Sequence, residues 1–133
     1  MNQEIEKMLR MAKDAMANSY SPYSHFAVGA CVLGNDGNYY AGCNVENVSF
    51  SITQCAEGSA VGNMISAGAK RIKKVVLISQ SDLPIPPCGA CRQRLKEFAD
   101  HDVKVHMFNL AGKEIVMTIG ELLPGSFDPE HMA

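Results

Sequence analysis

The chain has 133 residues, 47% of them apolar and 20% charged, which suits one domain with a single core and argues against disorder. A net charge of −2 offers no electrostatic footprint for nucleic acid or for an anionic membrane surface. The opening MNQEIEKMLRMAK lacks the apolar run of a secretory signal, and no stretch reaches the ~20 apolar residues of a membrane helix, so a cytoplasmic protein is the expectation.

Ile5, Met8, Leu9, Ala12, Ala15 and Met16 recur at helical spacing between charged residues, which predicts an amphipathic first helix packed on a sheet. Turn formers from Asn18 to Ser24 end it. Phe26–Leu33 and Tyr39–Cys43 are apolar runs separated by Gly34-Asn35-Asp36-Gly37, a hairpin signal that predicts two antiparallel strands. After the polar stretch Asn44–Ser51, Thr53 offers a cap for a helix running to about Ala67, with Gly68 at its end. Val75–Ile78 reads as a strand covered on both faces. Pro84, Pro86 and Pro87 hold the next loop extended. A third helix follows, with Cys91, Leu95, Phe98 and Ala99 along one face. Val103–Phe108 and Ile115–Thr118 predict two more strands, and Thr118 with Glu121 fits a capping box for a short last helix. The order α-β-β-α-β-α-β-β-α, without repeat or linker, predicts a single α/β domain over 1–133. It is a three-layer α-β-α sandwich on a mixed five-stranded sheet, with a right-handed parallel crossover through the third helix. The direction of the last strand is left open.

Two stretches carry the chemistry. Thr53-Gln-Cys-Ala-Glu57 sets Cys55 beside the carboxylate of Glu57 at a helix start, and Pro87-Cys-Gly-Ala-Cys91 sets Cys88 and Cys91 one turn apart at another. Five cysteines in a reducing compartment read as metal ligands plus buried thiols, not as structural disulfides. Three thiolates can hold one zinc ion, and helix N-termini favour the thiolate form. A fourth position left to water marks a catalytic zinc, beside which Glu57 would carry protons. The alternatives are a redox C-x-x-C pair, or a closed Cys₄ site completed by Cys43 or Cys31. Cys31 lies in an apolar run and suits packing. A non-enzymatic zinc module and a nucleic-acid deaminase are the rival functions; the second predicts a basic channel that the charge balance does not advertise.

C-A-E followed by P-C-x-x-C resembles the zinc-dependent nucleoside and nucleobase deaminases. Tyr20-Ser-Pro-Tyr-Ser-His-Phe26, Gly42-Cys-Asn-Val-Glu-Asn47 and Glu121-Leu-Leu-Pro-Gly-Ser-Phe127 are similar to the small cytidine deaminases, so the likeness spans nearly the whole chain. It implies one Zn²⁺ per subunit on Cys55, Cys88 and Cys91, with Glu57 as the proton shuttle in converting cytidine or 2′-deoxycytidine to the uridine form and ammonia. It further implies that Asn44 and Glu46 grip the ribose, that the Ala56 backbone reads the base edge, and that Phe26 and Phe127 flank the base. Three cysteine ligands point to the homotetrameric branch, acting in pyrimidine salvage. Two residues depart from the family pattern. Gly58 stands where an arginine usually follows C-A-E and offsets the thiolate charge, which leaves Arg92 and the helix ends as candidates for that task. Phe50 replaces a common tyrosine and loses its hydroxyl. A blasticidin S deaminase, which also lacks that arginine, is the alternative.

Overall fold

Asn2 opens the first helix, α1 (Gln3–Met16), by accepting the Ile5 N–H on Oδ1 at 2.7 Å. The computed structural model describes residues 2–132. After α1 come β1 (Val28–Gly34), β2 (Tyr39–Cys43), a 3₁₀ turn at Phe50–Ile52, α2 (Ala56–Ser66), β3 (Ile72–Ser79), α3 (Gly89–Phe98), β4 (Lys104–Asn109), β5 (Glu114–Thr118) and α4 (Ile119–Leu122). A second 3₁₀ turn, Pro129–Met132, closes the described chain.

The strands form one sheet in the order β2-β1-β3-β4-β5. β1 pairs antiparallel with β2 and β3, β3 and β4 are parallel across the α3 crossover, and β5 runs antiparallel to β4. The open question of the last strand is thereby settled: a four-residue connection around Gly112, with φ +89°, returns the chain as a hairpin. Residue alternation then assigns the two faces. Cys31, Val76, Ile78 and Phe108 face Ile5, Met8 and Ala12 of α1. Ala30, Val32, Val75, Leu77, Val105 and Met107 face Ala60, Val61 and Met64 of α2 and Leu95 of α3. Three layers result, with β3 buried on both sides as its unbroken apolar run implies. No helix among the described residues is long and apolar enough to cross a membrane.

Strand β3 begins at Ile72, three residues before the expected Val75, β4 shifts by one residue, β5 begins one residue early, and the starts of β1 and α2 also differ from the sequence expectation. Phe26 and Ala27 lie outside β1, because His25 adopts φ +57° and breaks the extended path just before them. Helix α2 is capped by Cys55, not Thr53, whose hydroxyl instead accepts the Asn47 N–H at 3.2 Å. The capping box at Thr118 and Glu121 forms in both directions.

Candidate active site

Helices α2 and α3 begin side by side, and the reactive residues sit in or just before their first turns. Cys55 is the N-cap of α2, its sulfur accepting the Gly58 N–H at 3.3 Å. Cys88 is the N-cap of α3 and Cys91 lies in that helix's first turn. One ligand atom each from Cys55, Glu57 and Cys91 converges within 4.8 Å of one another, and among the described residues this is the group that forms. The Cys55 and Cys91 sulfurs touch, yet their Cα atoms are 7.5 Å apart, wider than disulfides ordinarily span. Two sulfurs focused on one point from separate helices are better described as ligands of one ion. Soft sulfur donors at two positive helix ends suit zinc.

Glu57 is 6% exposed. Burial holds its carboxyl above the ordinary carboxylate range, opposed by its own backbone N–H and by the charge of Arg94. Such a group takes and returns protons more readily than an exposed carboxylate. Arg94 of α3 donates from Nη1 to Cys55 Sγ at 3.1 Å and to Cys91 Sγ at 3.4 Å. Arg92, one candidate for offsetting the sulfur charge, is committed elsewhere: Nε donates to Pro87 O and Nη1 to Leu122 O, each at 2.7 Å. The available signal for Arg94 was its spacing, since three residues after Cys91 on a helix is the same face.

Above the cluster opens a cavity of about 340 Å³, within the usual range of small-molecule sites, lined by Phe26, Asn44, Cys55, Ala56, Glu57, Cys88 and Cys91 among others. Ile85, Pro86 and Pro87 form one wall. Ser79, at the end of β3, also lines it with a buried hydroxyl that has no hydrogen-bond partner among the described residues. The Ala56 N–H, at the start of α2, has no intrahelical acceptor to meet. Asn44 is 9% exposed and largely engaged by the protein. Its Oδ1 accepts from Val28 N–H at 2.9 Å and Ser19 Oγ at 2.5 Å, and its Nδ2 donates to Phe26 O at 2.8 Å. One amide N–H is left over.

Glu46 lines an adjoining cavity with Tyr23, Ser24 and Phe50, and Thr53 belongs to both cavities. Glu46 Oε1 accepts the N–H groups of Tyr23 and Ser24 at 3.0 and 3.1 Å, while Oε2 accepts the Ser24 hydroxyl. These bonds hold its carboxyl below the usual range, the Ser24 hydroxyl contributing most. Phe50 meets Tyr23 edge-on with ring centroids 5.9 Å apart. Phe127 is not brought to the cluster. It is 58% exposed and lines a separate groove, where its carbonyl accepts from Gln93 Nε2 at 2.8 Å. Cys88, expected as the third sulfur ligand, lines the cavity as an exposed thiol but is not in the converging group; nor are Cys31, buried in the core, and Cys43, at the end of β2.

Residues 2–107 match the model of the cytidine and deoxycytidylate deaminase zinc-binding region. A cytidine deaminase of Sporosarcina psychrophila is 39% identical over 98% of this chain and 96% of its own length. One from Mycobacterium tuberculosis is 38% identical over 87% of this chain and 84% of its own. The crystal structure of cytidine deaminase from Burkholderia pseudomallei superposes with a TM-score of 0.89 at 36% identity, over 96% of this chain and all of that one. With a family match across most of the sequence and relatives aligned end to end on the same fold, the chain belongs to the zinc-binding cytidine and deoxycytidylate deaminase family.

Proposed function

We propose that the protein hydrolyses the exocyclic C–N bond of cytidine and 2′-deoxycytidine, releasing ammonia and the corresponding uridine, as a cytoplasmic enzyme of pyrimidine salvage. The observation that carries this reading is a buried carboxylate within 4.8 Å of two thiol sulfurs beneath a nucleoside-sized cavity. Cys55, Cys88 and Cys91 hold the zinc, which when bound supplies the Lewis acidity that makes water nucleophilic at neutral pH. Glu57 takes a proton from the attacking water and delivers it to N3 of the base as the water oxygen bonds to C4. It then passes the second proton to the departing amine as the C4–N4 bond breaks. The Ala56 N–H meets the polar edge of the pyrimidine, and Phe26 packs on its ring. Asn44 retains one donor and Glu46 one acceptor site, a complementary pair for sugar hydroxyls where the two cavities adjoin.

The resemblance also implies a homotetramer, and the exposed run Val48, Phe50 and Ile52, at 77, 73 and 67%, supports burial against another copy. In that assembly Phe127 would close the cavity of an adjacent subunit. The zinc-loaded protein is expected to consume cytidine, followed by its loss of ultraviolet absorbance, and Glu57→Gln to retain zinc while losing at least about 10³-fold in kcat. Turnover surviving in Glu57→Gln removes the shuttle role, and blasticidin S consumed while cytidine is spared favours the alternative substrate. Sedimentation of the same preparation tests the assembly, which a monomer at working concentration would refute.

A further inference from the structure

Three thiolates around one Zn²⁺ leave a net charge of −1, which weakens the ion as a Lewis acid unless a cation stands near the sulfurs. Position 58, beside Cys55 on α2, cannot supply one: it is glycine, and a Cβ there would lie 2.7 Å from Gln54 Nε2 and 3.3 Å from Cys55 Sγ. Arg92 is tied to two backbone carbonyls. The guanidinium of Arg94 comes instead from α3, and one nitrogen of it donates to sulfurs belonging to both helices. Among the described residues no other cation donates to either sulfur.

We infer that Arg94 is a positioning residue of the metal centre, clamping the sulfurs of Cys55 and Cys91 from α3 and supplying the positive charge that three thiolates require. This goes beyond the proposed activity but rests on the zinc assignment to Cys55, Cys88 and Cys91. Its physical content is twofold. A donor shared by two sulfurs fixes them before the metal arrives, as outer-shell partners of metal ligands do. A nearby cation also draws electron density from the thiolates, so that more Lewis acidity remains for the reaction. Because Arg94 is otherwise at the surface, its replacement leaves the core untouched.

The test compares wild type, Arg94→Gln and Arg94→Lys as zinc-loaded full-length proteins, each checked for an unchanged thermal transition. Zinc affinity is read by competition with a chromophoric chelator, and kcat and KM are measured on cytidine. Arg94→Gln is expected to lose about ten- to hundredfold in zinc affinity. Its kcat falls by about tenfold or more while KM stays within about threefold, as for a group acting only in the transition state. Arg94→Lys keeps the charge and recovers part of both losses. If Arg94→Gln fails to fold, a partial loss of both quantities in Arg94→Lys carries the same comparison. Arg94→Gln equal to wild type in either quantity, or Arg94→Lys no better than Arg94→Gln, overturns the role of Arg94. A wild-type chain that binds no zinc overturns the metal assignment itself, a distinguishable failure.

Discussion

Among the cysteines outside the Cys55–Cys91 contact, chemistry follows surroundings. Cys31 is enclosed between β1, β3 and α1, where burial pushes its thiol up to about 12 against a weaker opposing hydrogen bond with the Tyr40 backbone. Cys88 is exposed at the mouth of α3. With a maleimide at pH 8, the zinc-free protein is expected to lose Cys88 first, and bound zinc to protect it, whereas Cys31 stays unmodified until the chain unfolds. Mass spectrometry of the labelled peptides checks this; Cys31 labelled in native protein would contradict the burial, and Cys88 labelled equally with and without zinc would remove it as a ligand. Most of this site was legible residue by residue, because C-A-E and P-C-x-x-C place their own helix starts. The charge partner was not. Arg92 is adjacent to Cys91 in sequence but points about 100° away around the helix, toward Leu122, whereas Arg94 shares the cysteine's face.

At the level of elements, α2 sits where it does because the neighbouring strand lets it approach. A Cβ on Gly42 of β2 would stand 2.4 Å from the Ala60 nitrogen and 2.7 Å from Ser59 Cβ, so the strand and helix backbones are almost in contact. Gly42→Ala is expected to destabilise the fold by about 3 kcal/mol and to impair activity by displacing Cys55 and Glu57, which ride on the same helix. Gly62, inside α2, is the control, since a Cβ there would point into open space, with no other described residue beyond its own helix backbone within 4 Å: Gly62→Ala should raise stability by about 0.5–1 kcal/mol. Urea titration of both variants decides it, and an unaffected Gly42→Ala would show that α2 has room to retreat. Strands and helices were legible from periodicity and punctuation, since each apolar run has one face or two to bury. Their ends were less so, because caps depend on distant partners. Thr53 is the better cap by residue type, but its hydroxyl is already engaged by Asn47 across the intervening loop, so the helix begins at Cys55.

Across the whole molecule, α1 is joined to the sheet by more than its apolar stripe. Glu4 Oε1 accepts from Lys74 Nζ at 2.5 Å, Glu4 Oε2 from the Tyr39 hydroxyl at 2.9 Å, and Lys7 Nζ stands 4.5 Å from the Tyr39 ring centre. The Lys74 hydrogen bond, then that of Tyr39, holds the Glu4 carboxyl below its ordinary range. Its contribution is therefore complete above the unfolded-state value of about 4.3 and disappears as pH falls through the lower folded-state value. Since the pair is about a third exposed, it is worth roughly 0.5 kcal/mol. Glu4→Gln should lower the urea midpoint slightly at pH 7 and converge with wild type as the pH falls through the lowered folded-state value of Glu4. A gap that widens in acid would reverse the sign. The layer arrangement was legible from element order alone, but this tie joins α1 to residues of β2 and β3 far along the chain, and no local pattern announces it.

The wall of Ile85, Pro86 and Pro87 bears on how a substrate is held. Proline keeps φ near a single value in any state, so three of the four residues from Pro84 to Pro87 bring little backbone freedom to be lost when a nucleoside closes against them. A glycine-rich rim would have to become ordered at that moment, subtracting from the free energy of every contact it made. Here the rim is ordered in advance. Binding should thus be governed by the shedding of water from an apolar face, with a negative heat-capacity change and only a small entropic cost from chain immobilisation.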